Sequence, residues 1–296
     1  MSNNPTNEHD IDVRLHSLHV YPIKSCAGIT LDEALLIETG LEFDRAWMVV
    51  DPQGRFVTQR ELPRMALIQP TLKHLEVVLR APGMLALHLA FDRVEEPVRV
   101  RVWKDDVAAY DMGDIAAQWF SDFLSEPGKP QALRLVRFDP EQKRLSNLQW
   151  TGGVEAENQF SDGYPLLVAS EGSLAELNRR LLAAGHEAVG VERFRPNIVL
   201  AGIESHDEDR VDALHVTTNE GEAELKPVKP CTRCPVPDID PATAVSSPEV
   251  GDMLRTYRAD ARVDGRITFG MNCIVLQGVE HMLKVGQAVG ANYRFE

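Results

Sequence analysis

From residue 13 to residue 21 apolar and polar side chains largely alternate, the period of a strand with one face buried. Short runs of similar character recur at 31–38, 46–50, 55–58, 75–79, 85–90 and 98–102, several of them separated by Gly, Pro or Asp, as in the turn Asp51-Pro52-Gln53-Gly54. One helix interrupts them: over 114–124 the residues Ile115, Trp119, Phe120 and Phe123 recur at helical spacing, with Asp111 or Gly113 near the start. A strand at 133–138 leads into a polar stretch, 139–159, which reads as a junction or an active-site loop. Beyond it a strand at 166–169 passes through Ser170-Glu171-Gly172-Ser173 into a helix carrying Leu174, Leu177, Leu181 and Leu182 and ending at Gly185. Further strands are expected at 198–200, 213–217, 222–226, 274–276 and at the end of the chain. Many short strands with few helices predict a mainly β, α+β fold built on barrels or rolled sheets. Residues 1–12 lack periodicity and are expected to be a mobile tail, leaving two β-rich domains, 13–138 and 139–296.

Composition narrows the function classes. The 296 residues are 44% hydrophobic and 26% charged, with a formal net charge of -14, so the surface lacks the positive charge that phosphate-backbone binding requires. Nucleic acid is therefore not expected as a partner. No run approaches the roughly 20 apolar residues that a membrane helix needs, so no membrane association is expected either. The polar, acidic opening does not resemble a secretory signal, and a cytoplasmic location follows as the expectation. The four cysteines, Cys26, Cys231, Cys234 and Cys273, are too sparse for a disulfide scaffold. Their value would lie in metal binding, redox chemistry or packing.

Three segments carry candidate chemistry. In Lys229-Pro230-Cys231-Thr232-Arg233-Cys234-Pro235 two thiols share a proline-stiffened loop with nearby cations, which favour the thiolate that ligates soft metals. Taken alone the C-x-x-C pair reads as half a zinc site, a dithiol redox pair, or two incidental cysteines. A zinc site lacks an obvious second pair, and Pro235 and Pro237 oppose the helix that follows a thioredoxin-like pair. Lys24-Ser25 at the end of the first strand could cradle an anion or could be solvated surface. Arg193-Phe194-Arg195-Pro196-Asn197 offers groups suited to phosphate and heterocycle edges, or simply enters a strand.

The order of these segments is more telling than any one of them. Tyr21-Pro22-Ile23-Lys24-Ser25, Phe43-Asp44-Arg45, Thr58-Gln59-Arg60, Phe160-Ser161-Asp162-Gly163-Tyr164-Pro165, Arg193 to Ile198 and Cys231-Thr232-Arg233-Cys234 together resemble the MOSC superfamily over nearly the whole chain. Phe269 to Cys273 and Leu283 to Gln287 are similar to that family's closing strands. The resemblance implies a MOSC N-terminal β-barrel domain followed by a MOSC β-barrel domain. It also implies molybdenum cofactor (molybdopterin) held by Cys234 as the metal ligand, with Cys231 a neighbour. By the same resemblance Lys24, Ser25, Arg45, Arg60, Ser161, Arg195, Asn197 and Thr232 would hold the pterin and its phosphate or line their pocket. Asp162 would stand near the metal, to relay protons or orient water.

Two departures from the family pattern bear on function. Relatives carry hydroxyl residues where this chain has Gly163 and Tyr164, so only backbone N–H contacts carry over there. Some bacterial relatives append an iron–sulfur domain with four clustered cysteines, which this sequence lacks. The resemblance thus implies a reductase of hydroxylamines, amidoximes, N-hydroxypurines or S-oxides, taking electrons from a separate flavoprotein or iron–sulfur protein. A non-catalytic carrier of the cofactor or of sulfur would use the same pocket, and a zinc module is the third reading. The acidic run Glu204 to Asp209 reads as solvated surface or as a docking loop for a basic electron donor.

Overall fold

The computed structural model describes residues 9–294, so residues 1–8 of the expected tail lie outside it. Ile11 and Asp12, placed in that tail by the sequence pattern, belong instead to the first strand, Ile11–Val20, where they face Ala291 and Gly290. That strand lies in a closed seven-stranded barrel. Around the barrel the order is Leu166–Ser170, Ile198–Ala201, Ile11–Val20, Ala288–Tyr293, Val211–Thr217, Glu222–Thr232 and Arg266–Gln277. Arg266–Gln277 pairs back onto Leu166–Ser170 and closes the ring. Inward-facing Leu15, Leu18, Val168, Ile198, Leu214 and Met271 fill it, each at most 1% exposed.

Closure depends on a short strand with partners of opposite sense. Leu166–Ser170 runs parallel to Ile198–Ala201 and antiparallel to Arg266–Gln277. A parallel neighbour needs a long crossover, which is supplied by the helix Glu171–Ala183. Ser170 caps that helix by accepting from the Ser173 N–H, and Gly185 ends the turn at φ +84. Leu177 and Leu181 pack against Phe194 and Phe269 outside the barrel.

A second sheet has the order Trp47–Val50, Arg134–Phe138, Asp105–Asp111, Pro97–Val102. It is buried on both faces: Trp47 and Val49 join Phe120, Phe123 and Leu135, while Met48 and Val50 join Phe138 and Phe160. The helix Asp114–Leu124 lies where the sequence predicts it, its start fixed by Asp111, which accepts from the Gly113 N–H and from Arg134. A three-stranded sheet, Gln69–Leu72, Glu76–Arg80 and Leu87–Ala90, flanks this unit.

The sheets do not divide at residue 138. The first strand and its partner Ile29–Leu31 sit in the barrel, whereas Phe160 from beyond the polar stretch packs into the second sheet's core. The chain therefore crosses between the two cores at residues 21–47 and again at 138–166. The expected strand at 55–58 is absent as such. Its only pairings are isolated bridges, because Asp51 accepts from the N–H groups of Gln53 and Arg55 and Glu61 takes the Thr58 N–H, bending the segment. The strand expected at 222–226 instead runs to Thr232, through register shifts at Pro227 and Pro230 that carry it to the cysteine loop.

A buried carboxyl lies at the crossover helix. Glu208, 1% exposed, accepts from Ser170 at 2.9 Å and from Ser173 at 2.5 Å. Burial, with a smaller push from Asp209, raises it to about 7 against the opposing serine bonds. A carboxyl raised in the folded state is most compatible with folding while protonated, so its contribution falls as pH climbs from the ordinary carboxylate range through 7. Glu208→Gln is expected to unfold at higher urea than wild type at pH 8, by on the order of 1–3 kcal/mol, with the gap closing at pH 5. Urea titrations at the two pH values check this, and an equal offset at both would contradict it.

Candidate functional site

Four crossing segments bring the sequence-predicted residues together. Immediately after the first strand, Tyr21 to Cys26 turns inward; Ser25 takes φ +69, and the Ser25 carbonyl accepts from Gln59 at 2.6 Å. Lys24, 7% exposed, donates from Nζ to the Phe160 carbonyl at 2.9 Å and to Asp162 Oδ1 at 2.5 Å. Burial pulls the Lys24 ammonium below its ordinary range, an effect opposed by Asp162. For Asp162, desolvation works upward, but the Lys24 charge and hydrogen bond, with the Trp103 N–H at 3.2 Å, hold it below the usual carboxylate range. The Asp162 side chain is 74% exposed, so solvent screens the pair and its stabilisation stays within about 0–1 kcal/mol.

Arg45 and Arg195 both sit over the Tyr21 ring, at 4.4 and 4.2 Å from its centroid. Each adopts a left-handed backbone, φ +51 and φ +58, a costly conformation for a long side chain that here turns both guanidinium groups inward. Arg45 pairs with buried Asp44 and donates to the Arg195 carbonyl at 3.0 Å. Arg195 donates from Nη1 to the Cys26 carbonyl at 2.6 Å, while its Nη2 is buried with no hydrogen-bond partner among the described residues. Desolvation, then the Arg45 charge, pulls Arg195 down to about 10. A cation so placed is stabilised by an anion. Next to it opens a cavity of about 270 Å³ lined by Tyr21, Gly28, Gln59, Arg195, Val236 and Ile239. Gly28 leaves that wall flat against Tyr21, where an added Cβ would come within 2.4 Å of the ring.

The cysteine loop borders the same cavity through Val236 and Ile239. Cys234 is exposed, and Arg233 donates to Cys231 Sγ at 2.9 Å and to the Phe194 carbonyl at 2.9 Å, which ties the loop to the residue before Arg195. A short 3-10 turn, Val236–Asp238, follows Cys234 in place of an α-helix. Lys229 lies over Trp150 and Tyr164, at 5.2 and 5.9 Å. Cys26 and Cys273 are fully buried away from the loop, their thiols pushed up by burial. Among the described residues no group of three or more His, Cys, Asp or Glu side chains is gathered as for a metal ion, so the zinc-module arrangement is not assembled.

Some predicted contacts are spent elsewhere. Asn197 is 1% exposed; its Oδ1 accepts from the Leu167 N–H at 3.1 Å and Arg45 at 3.3 Å, and its Nδ2 donates to the His19 carbonyl at 3.2 Å. It positions Arg45 and clasps three barrel strands. The Ser161 hydroxyl likewise donates to Asn158. Arg60 reaches away from Arg195, donating to Thr58 and lying 5.0 Å over the Trp103 ring. Thr232 ends its strand opposite Thr268, a backbone register that does not engage its hydroxyl. Gly163 has open space where a side chain would begin, so the family's hydroxyl residue would fit there.

Sequence reasoning missed Arg144, Asn158 and Trp103. Arg144, 6% exposed, donates from one nitrogen to Asn158 Oδ1 and to the carbonyls of Gln159 and Ser161, and its Nε meets Asp105. It shapes the loop that presents Asp162. The only signal was the polar character of the stretch, since pairing across the Leu145–Glu157 bridge has no sequence period.

Two family models match in succession: the MOSC N-terminal beta barrel domain over residues 12–127 and the MOSC domain over 155–290. Curated relatives include mitochondrial amidoxime reducing component 2 of Bos taurus, 35% identical, and mitochondrial amidoxime-reducing component 1 of Mus musculus, 36% identical. The Homo sapiens component 1 is 34% identical. Each alignment covers 81% of this chain and 70–71% of the relative.

The geometry separates two classes of substitution. Asn197→Ala is expected to lower stability by about 3 kcal/mol, because it strands a buried N–H and a buried carbonyl. Gly163→Ser should stay within about 0.5 kcal/mol of wild type. Denaturant midpoints of the two variants check the contrast.

Proposed function

The chain belongs to the MOSC family, its relatives are amidoxime-reducing components, and from that premise we propose that it reduces N-hydroxylated compounds at a molybdenum cofactor. The observation that carries the reading is the unpartnered, buried Nη2 of Arg195 beside a cavity that the Cys234 loop also borders. A dianionic pterin phosphate answers the first and a soft metal the second. Cys234 would be the metal ligand. Lys24, Arg45 and Arg195, with the backbone at Gly163 and the Thr232 hydroxyl, would hold the organic part.

When bound, that cofactor would supply the two electrons that cleave the substrate's N–O bond and would take up its oxygen, the step protein side chains cannot perform. The protein's part is orientation and proton supply. Asp162, held below the usual range, is ionised at neutral pH, so its part is to orient a water or a substrate N–H or O–H by accepting a hydrogen bond rather than to deliver a proton. Lys24, brought down by burial, is the better acid of the pair. Both bonds to Asp162 fall on Oδ1, which leaves Oδ2 as the oxygen that would accept a hydrogen bond from water or substrate. Electrons would come from a separate flavoprotein or iron–sulfur partner, and the cytoplasm is the proposed location. S-oxides are a second substrate class for the same chemistry.

Protein made in a host able to synthesise the cofactor is expected to turn over benzamidoxime steadily when given a reduced donor. Cys234→Ala should lose more than about 100-fold of that rate, whereas Cys231→Ala, a neighbour to the ligand, should lose about 10-fold or less. Equal, mild losses at both cysteines would contradict the assignment. Release of cofactor to an acceptor protein without turnover would favour the carrier reading.

A further inference from the structure

Trp103 stands out among the side chains near Asp162. It is 45% exposed, and it occupies the two-residue link, Trp103-Lys104, between the paired strands Pro97–Val102 and Asp105–Asp111. Such links favour Asn or Gly, because they call for a left-handed backbone. Here Trp103 takes φ +55, a genuine outlier for so bulky a residue, with a cost on the order of 1 kcal/mol. The fold retains an exposed indole at a strained position, and hydrophobic burial does not repay it.

The ring is also held in a fixed orientation. Its Nε1–H donates to Asp162 Oδ1 at 3.2 Å, Phe56 meets it in a T-shaped contact at 5.0 Å, and the Arg60 guanidinium lies over it at 5.0 Å. Lys24, which also bonds Asp162, lies 5.5 Å over Phe56, so the aromatic pair and the ion pair form one unit. The hairpin belongs to the second sheet, while Asp162 is carried on the segment leading into the barrel; the indole therefore bridges the two halves at the carboxylate paired with Lys24. An oriented, partly exposed ring beside a polar reaction group offers a planar ligand a stacking surface at little entropic cost.

We propose that Trp103 is a specificity-determining residue, whose indole stacks on aromatic N-hydroxylated substrates and so favours them over aliphatic ones. The inference rests on the reductase reading above and adds the substrate class. It assigns two separable roles to one side chain: the ring selects, and the N–H steadies Asp162.

The test compares benzamidoxime with acetamidoxime in cofactor-loaded wild type, Trp103→Phe and Trp103→Leu, after thermal melts confirm that each variant is folded. Wild type is expected to favour the aromatic compound in kcat/KM. Trp103→Leu should reduce that preference by about 5- to 10-fold, mainly through KM for benzamidoxime, while Trp103→Phe keeps most of it. Preference unchanged in Trp103→Leu, or lost equally in both variants, would overturn stacking as its source. Calorimetric binding of the two amidoximes to the same proteins gives a readout independent of turnover. If wild type reduces neither compound, the reductase reading fails; aromatic-selective binding that Trp103→Leu abolishes would still support the stacking role, and its absence would refute it.

Discussion

Two guanidinium groups share one buried phenol, and the site follows from that constraint. Arg45 and Arg195 lie over the same Tyr21 ring with only Asp44 paired directly to them, and one nitrogen of Arg195 has no partner in its buried position. Cations are brought out of water at a cost of several kcal/mol each unless an opposite charge or good acceptors replace the lost hydration. Carbonyls of Cys26 and Arg195 replace part of it. The remainder is an unmet demand for an anion, located beside a cavity and a loop with an exposed thiol.

The barrel makes that placement possible. Asn197 accepts from the Leu167 N–H and Arg45 and donates to the His19 carbonyl, tying the closing strand to the first strand at the entry of Ile198–Ala201. A residue matched to ligand binding in the family pattern thus has its amide engaged by backbone groups and by Arg45, whose guanidinium it positions. Arg144 does the same for the loop of Asp162, and Arg233 for the cysteine loop. Because the chain passes twice between its two cores, no single sheet carries the site.

Much of this was legible in the sequence where the signal is periodic or local. The alternation at the first strand, the Phe-rich face of the Asp114–Leu124 helix and the Ser170 cap each reflect a period or a cap that packing then obeyed. Ordered motifs indicated the family and brought Lys24, Asp162, Arg45 and Arg195 into view. What could not be read was set by long-range partners. The pull of Asp51 and Glu61 on nearby N–H groups unmade a strand at 55–58, and Trp103 gained meaning only when a hairpin from one sheet met a carboxylate from the other. A sequence also cannot show that the Asn197 amide meets backbone groups or that the Ser161 hydroxyl meets the Asn158 side chain.

On the proposed reading the Cys234 sulfur, and not that of Cys231, would reach the metal. X-ray absorption at the molybdenum edge, on cofactor-loaded wild type, Cys234→Ser and Cys231→Ser, counts sulfur neighbours directly. The prediction is one sulfur fewer in Cys234→Ser and an unchanged count in Cys231→Ser. An unchanged count in Cys234→Ser, or the loss appearing in Cys231→Ser instead, would contradict it.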